Sequence, residues 1–235
     1  MLPFKLFPST LFWVRSDGIW FACSLKRPHD FLIPLAVYEK DLILFVLNKL
    51  GPGSSFLDVG AHLGAYALRA ARKVGAGGLV VGVEPDVLNQ YCLQASISRN
   101  GFNNVLLIKA AVAQKSGFVD FYVKPKGDMS GLLCRDALGK KISVEAISLG
   151  ALFKKLDVVF DVVKIDVEGV EQYVLDDLSR FRDFWRMAVV EVHGKSVGEV
   201  CGCVFCRKAS SLGMNVTKTL HTHVRECHHV LIKNV

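Results

Sequence analysis

Ser55-Phe56-Leu57-Asp58-Val59-Gly60-Ala61-His62-Leu63-Gly64-Ala65-Tyr66-Ala67-Leu68-Arg69 decides the fold. Phe56, Leu57 and Val59 suit a buried strand. Gly60 and Gly64 bracket a turn, and Ala65 to Ala71 is rich in helix formers. Glycines let a backbone approach a ligand closely, and a helix start offers unpaired N–H groups. A second apolar strand, Leu79-Val80-Val81-Gly82-Val83-Glu84, is stopped by Pro85. Glu84 lies 20 positions beyond Gly64 (84 − 64), where such folds place the carboxylate that grips ribose hydroxyls. The ordered set of strand, glycine turn, helix, strand and acid predicts the nucleotide-binding half of a Rossmann-like unit.

The glycine pattern is Asp-x-Gly-x-x-x-Gly, not the tighter Gly-x-Gly-x-x-Gly. Asp58 sits at the strand end, beside the turn, where a dinucleotide would bring its pyrophosphate. Like charges about 4 Å apart cost roughly 1 kcal/mol in water and roughly 4 at an effective dielectric of 20. S-adenosylmethionine carries a sulfonium and an ammonium and no phosphate, so Asp58 is compatible with it and awkward for NAD. A helix-capping role for Asp58 is the plainer reading, and the two can coexist.

Around this unit, 235 residues suit one domain with additions. Hydrophobic content of 51% and charged content of 22% describe a chain with a sizeable core and exclude a disordered one. The net charge of +7 comes from 29 basic residues scattered singly or in pairs, which reads as solvated surface more readily than as a site for an anionic substrate. Met1 to Trp13 is apolar but carries Pro3 and Pro8 and lacks a signal-peptide pattern. The apolar run Leu42 to Leu47 is far short of the roughly 20 residues that span a bilayer. A cytoplasmic protein is expected.

Asp17-Gly18 predicts a hairpin over 11–25, and Val37 to Leu50 a helix ended by Gly51-Pro52-Gly53. Residues 1–54 are taken as an amino-terminal extension and 55–235 as the main domain; the extension's aromatics are read as core. Asp86 is expected to cap a helix from Val87 to Arg99, and Asn100-Gly101 to end it. Val105 to Val112 reads as a third strand, with Ala110 and Ala111 small enough to leave room for an adenine. Strand, helix, strand, helix, strand is a parallel α/β layout. Lys124 to Gly131 is a polar, glycine-rich loop, a candidate lid or a plain surface loop. Phe118 to Val123 and Ile142 to Ile147 read as short strands.

Val158-Val159-Phe160-Asp161-Val162-Val163-Lys164-Ile165-Asp166-Val167-Glu168-Gly169-Val170-Glu171 is the second informative stretch. Side chains of extended chain alternate faces, so Lys164, Asp166 and Glu168 point the same way. Such a group at a strand's carboxyl end is costly unless its members pair or serve a ligand. A helix is expected from Val170 to Leu178, a strand from Arg186 to Val192, a helix from Val197 to Leu212, and a closing pair at Met214 to Leu220 and His228 to Lys233.

With Tyr38-Glu39, Phe56 to Gly64, Val83-Glu84-Pro85-Asp86 and Lys164-Ile165-Asp166-Val167-Glu168-Gly169 in order, the chain resembles the FkbM-type family of S-adenosylmethionine-dependent methyltransferases. Lys-x-Asp-x-Glu-Gly is the most diagnostic part, and the resemblance covers roughly residues 36 to 193. It implies a Rossmann-like class I methyltransferase: an α/β fold with a mostly parallel seven-stranded sheet, helices on both faces and a final antiparallel strand. It also implies S-adenosylmethionine as cofactor and methyl transfer to a hydroxyl of a sugar or small metabolite. His62 departs from the asparagine common at that position, a turn site that contributes mainly backbone.

The residues expected at the cofactor are Asp58, Gly60, Ala61, His62, Gly64, Glu84, Pro85, Ala111 and Asp166. The residues expected at the chemistry are Asp166, Glu168, His193 and Lys164. His193, at a strand end, is either the base for a hydroxyl proton or structural. Asp166 and Glu168 are rival bases, and Glu168 can instead hold substrate. Paired carboxylates suit a hard cation, but no third ligand is evident, so no metal is expected. Cys203-x-x-Cys206 has zinc-like spacing, with His221, His223, Cys227, His228 and His229 downstream; its place in an expected helix favours reduced thiols. Seven cysteines cannot all pair. Two rival functions stand beside the first: an RNA-modifying methyltransferase, motivated by the basic balance, and a non-catalytic S-adenosylmethionine-binding protein.

Overall fold

A computed structural model describes residues 10–36, 39–123, 140–167, 171–193, 204–221 and 227–234. β1 (Leu11–Ser16) and β2 (Ile19–Ser24) form the expected hairpin. Asp17 and Gly18 take φ of +50° and +75°. A two-residue turn that matches the twist of its strands requires such values. A 3-10 helix at Pro28–Leu32 precedes α1 (Lys40–Leu47). Strands and helices then alternate: β3 (Ser55–Val59), α2 (Ala67–Val74), β4 (Leu79–Val83), α3 (Val87–Asn100) and β5 (Val105–Ile108). β6 (Ala111–Val112), β7 (Gly117–Val123) and β8 (Lys140–Ile147) follow. The chain continues through α4 (Leu149–Leu156), β9 (Val162–Ile165), α5 (Glu171–Arg180) and a 3-10 turn at Arg182–Phe184. It closes with β10 (Met187–His193), α6 (Val204–Ser211), β11 (Asn215–His221) and β12 (Cys227–Lys233).

The main sheet has seven strands in the order β11-β12-β10-β9-β3-β4-β5. β10, β9, β3, β4 and β5 are parallel to one another, and β12 runs antiparallel to both β10 and β11. This is the expected α/β architecture. Leu57, Val59, Val163, Ile165 and Val190 face α4, α5 and α6. Phe56, Val162, Val189 and Leu231 face α1 and α2. Neighbours along a strand go to opposite faces, and because helices cover both, the strands are apolar nearly throughout.

The expected single strand from Val105 to Val112 divides instead. β5 ends at Ile108, and Ala111–Val112 leaves to pair with β8 in a separate three-stranded sheet, β6-β8-β7. β5 is the last strand of the main sheet and has a partner on one side only, so nothing there holds the chain beyond Ile108. Of the helix expected from Val197 to Leu212, the described residues show Val204–Ser211; residues 194–203 lie outside the described residues, as does the candidate lid, 124–131.

Asp86 caps α3 by accepting from the N–H groups of Leu88 at 2.8 Å and Asn89 at 3.3 Å. Gly101 ends the helix in the left-handed region. The hairpin is fastened to α3. Ala22 N–H donates to Ser96 Oγ at 2.8 Å, and Trp20 N–H donates to Asn100 Oδ1 at 2.9 Å. The Arg99 guanidinium lies 4.3 Å and 4.5 Å from the Trp13 and Trp20 ring centres, within cation–π reach of both. Ile19 and Phe21 join Leu68, Leu93 and Ile97 in one cluster, so these hairpin side chains are core. Among the described residues no helix is long and apolar enough to cross a membrane.

Candidate functional site

The turn after β3 is clasped to the end of β4. The N–H groups of Gly60 and Ala61 both donate to the Val83 carbonyl at 3.0 Å, and His62 N–H donates to Glu84 Oε2 at 2.8 Å. Gly60, His62 and Gly64 all have positive φ, +80°, +50° and +86°. His62 therefore occupies a conformation that asparagine tolerates well. A Cβ on Gly60 would stand 2.1 Å from the Asp166 carbonyl oxygen, and one on Gly64 would stand 2.5 Å from Leu93 Cδ1. Both glycines are thus required by the chain's own packing, a reason distinct from the approach of a ligand.

Glu84 is buried at the carboxyl end of β4. Its Oε1 accepts from Asp86 N–H at 2.8 Å and from Asn89 Nδ2 at 3.3 Å. Burial pushes its pKa up to about 7, against the pull of those hydrogen bonds. Pro85 is half-buried beside it, its carbonyl accepting from Gln90 Nε2 at 3.0 Å. Arg27 and Asp86 form a buried ion pair of 2.7 Å behind Glu84. Both ring nitrogens of His62 are buried without a hydrogen-bond partner among the described residues, and burial lowers its pKa to about 4.

Asp58 points inward and is wholly buried. Its Oδ2 accepts from Ala67 N–H, the first residue of α2, at 3.1 Å, so the capping reading holds. Its Oδ1 is 3.6 Å from Lys164 Nζ. Burial raises its pKa to about 6, with Lys164 opposing.

Lys164 begins a polar row across the sheet face that carries α1 and α2. Asp58 and Lys164 are register partners on β3 and β9, and Glu191 and His229 are partners on β10 and β12. Lys164 is only 3% exposed; its Nζ lies 3.1 Å from Asp166 Oδ2 and 3.3 Å from the Gly60 carbonyl, with the Tyr66 ring centre 5.0 Å away. Burial alone would lower the Lys164 pKa, but Asp166, Asp58, Glu39 and Glu191 together outweigh it and hold the ammonium charged. Glu39, at the start of α1, has its pKa raised by burial and then by Asp166 and Glu191. The Tyr66 hydroxyl is held well above its usual value by burial, Glu39 and Asp166.

The structure thus brings Asp58, Gly60, Lys164 and Asp166 together, with His62 and Glu84 on the adjoining side of the turn. Lys164 and Asp166 do share a face, as alternation predicted; Glu168 lies outside the described residues. Ala111 packs with Phe121 and Val144 in the small sheet. The backbone of His193, last in β10, is paired with Cys227. Cys201, Cys203 and His223 lie outside the described residues, and Cys206 is buried. Sequence reasoning missed Tyr66; it held Glu39 only as part of the family motif and His229 only as one of the histidines downstream of Cys203-x-x-Cys206, and gave neither a place beside Lys164. The one available signal was Glu191, two positions beyond core-facing Val189 and so on the same face.

The donor set suits a cationic ligand without phosphate. Lys164, Arg27 and Arg69, buried cations near the turn, are all taken by carboxylates. Glu84, at the turn, has the carboxylate chemistry that ribose hydroxyls require. The orphaned nitrogens of His62 add hydrogen-bonding capacity at the same place.

The family model described as the Methyltransferase FkbM domain matches residues 58–228. No curated protein matches the chain in sequence. Among solved structures, Trm5b from Pyrococcus abyssi matches with a TM-score of 0.56 at 12% identity, over 95% of this chain. The chain spans 56% of that protein's length. A SAM-dependent methyltransferase from Aquifex aeolicus matches with a TM-score of 0.52 at 14% identity, over 90% of this chain and 97% of that one. Aeropyrum pernix fibrillarin with bound S-adenosyl-L-methionine matches with a TM-score of 0.52 at 13% identity, over 98% and 85%. At these identities the structures speak for the class I methyltransferase fold, and the family match speaks for the activity: the chain belongs to the FkbM family of S-adenosylmethionine-dependent methyltransferases.

Proposed function

We propose that the protein methylates a hydroxyl oxygen on a sugar or small metabolite. The observation that carries this reading is Asp166: its side chain is 31% exposed while its Oδ2 is anchored 3.1 Å from buried Lys164. An anchored carboxylate opening outward beside the turn is suited to accept a hydrogen bond from an acceptor hydroxyl and to take its proton. S-adenosylmethionine supplies the electrophilic methyl carbon. Glu84 holds ribose hydroxyls, the His62 backbone keeps Glu84 in place, and Lys164 fixes Asp166 while neutralising Asp58. Glu168 and His193 remain rival bases. Ala111 keeps the role of leaving space near the adenine. Residues 1–54 are read as an extension whose hairpin braces α3, and 55–235 as the catalytic domain. Buried free thiols at Cys23 and Cys92 favour the cytoplasm, where cysteines stay reduced.

The test is calorimetry with S-adenosylmethionine on the full chain and on Glu84→Ala, followed by mass spectrometry of hydroxylated acceptors, glycosides first, and of RNA. Binding weakened at least roughly tenfold in the variant, the loss of about 1.4 kcal/mol, with methyl gain on a glycoside or metabolite, is expected. Methyl gain on RNA alone would replace the small-molecule reading. Cofactor binding without methyl gain on any acceptor would favour the non-catalytic reading.

A further inference from the structure

We propose that Glu39, Glu191 and His229 form a site for one first-row divalent transition cation at the Glu191 end of the polar row. The three residues come from the start of α1, the end of β10 and the start of β12, and one ligand atom from each lies within 4.8 Å of the others. Donors that bond one ion at about 2.0–2.2 Å stand at most about 4.4 Å apart, so a small closing movement lets these three share an ion.

His229 supplies the independent observation. It is 1% exposed, and neither ring nitrogen has a hydrogen-bond partner among the described residues. Buried imidazoles ordinarily satisfy both nitrogens. Its Nε2 stands 3.4 Å from Glu191 Oε2 without making a hydrogen bond. A buried imidazole and a carboxylate this close, with no hydrogen bond joining them, leave the donor geometry of a shared ligand. A shared cation fits that geometry. The Glu39 carboxylate, though at the N-cap position of α1, makes no capping hydrogen bond there.

Charge points the same way. Asp166, Asp58, Glu39 and Glu191 all act on Lys164, so the field at this place favours a cation. A divalent ion at the Glu191 end would sit in that same field. One imidazole with two carboxylates suits Mn2+, Fe2+ or Zn2+ better than Mg2+ or Ca2+, which favour oxygen alone. Three protein ligands leave positions open for oxygen atoms of an acceptor. That role in holding the acceptor rests on the methyltransferase reading above; the existence of the site does not.

The experiment uses the full chain, freed of metal by chelator and titrated with Mn2+, with the unbound ion read by electron paramagnetic resonance. S-adenosylmethionine calorimetry and thermal melting are run on the same samples. One Mn2+ per chain, displaced by Zn2+, is expected. Binding should fall at least about tenfold in His229→Asn and disappear in the near-isosteric Glu39→Gln/Glu191→Gln pair, all with cooperative melts. If His229→Asn fails to fold, the Glu-to-Gln pair decides alone. A chain that binds S-adenosylmethionine but neither ion overturns the cation site and leaves the cofactor reading intact. Undiminished Mn2+ in the double variant overturns it too. Mn2+ bound here in a chain that ignores S-adenosylmethionine supports the site and defeats the cofactor reading.

Discussion

The turn between β3 and α2 and the polar row on β9, β10 and β12 adjoin each other yet are built in opposite ways. The turn is local. Gly60, His62, Gly64 and Glu84 lie within one strand-helix-strand unit, and their hydrogen bonds are mostly backbone. The row is assembled from residues 39, 58, 66, 164, 166, 191 and 229, and what joins it is buried charge. A local turn can be specified by backbone geometry; a buried charged row must balance carboxylates against cations or lose stability.

The sharpest way to break this contrast is Lys164→Met. It should destabilise the protein by about 3–5 kcal/mol at neutral pH, because Asp58 is left buried without its cation. Equilibrium denaturation checks this, and the loss should shrink in acid as Asp58 takes up a proton. A loss under about 1 kcal/mol would mean that water reaches the row and that burial does not govern it.

Gly60→Ala tests the seam between the two regions. The added methyl meets the Asp166 carbonyl, and alanine disfavours the φ of +80° found there. A loss of about 2–3 kcal/mol is expected in the same measurement. Weakened S-adenosylmethionine binding should accompany it.

Within the turn, Glu84 makes a pH signature. Its pKa rises from 4.5 to about 7 on folding, chiefly through burial. A raised carboxyl pKa gives stability that is fully present below pH 4.5 and is lost as pH rises through about 7. Stability curves of wild type and Glu84→Gln across that window should therefore differ in slope, the wild type falling more steeply. Parallel slopes would place the ionisation elsewhere.

The smallest change is expected from His62→Asn, within about 1 kcal/mol of wild type. Asparagine tolerates the φ of +50° at this position, and the backbone link to Glu84 survives. A larger loss would show that the imidazole body itself packs the turn.

The hairpin turn, the caps of α3 and the glycine turn were legible because each depends on residues adjacent in the chain and on φ/ψ preferences they carry with them. The strand from Val105 was misjudged beyond Ile108 because edge strands lack the second partner that extends pairing, which composition does not reveal. Lys164 and Asp166 were legible as a pair through strand alternation. That Glu39 and His229 meet was not legible: the Cys and His residues around His229 pointed to one another and not to Glu39, 190 positions away in the chain (229 − 39).

By itself the sequence determined the α/β class and the carboxylate at the end of β4, because these rest on short-range patterns of polarity and glycine; the family and its cofactor came from the resemblance of four ordered motifs. Only the tertiary structure decided that Asp58 turns inward to Lys164, that the glycines answer to Asp166 and Leu93, and that Glu39, Glu191 and His229 converge. Those facts depend on strand order and register, which bring distant residues together on one face and make their burial, not their spacing, set their chemistry.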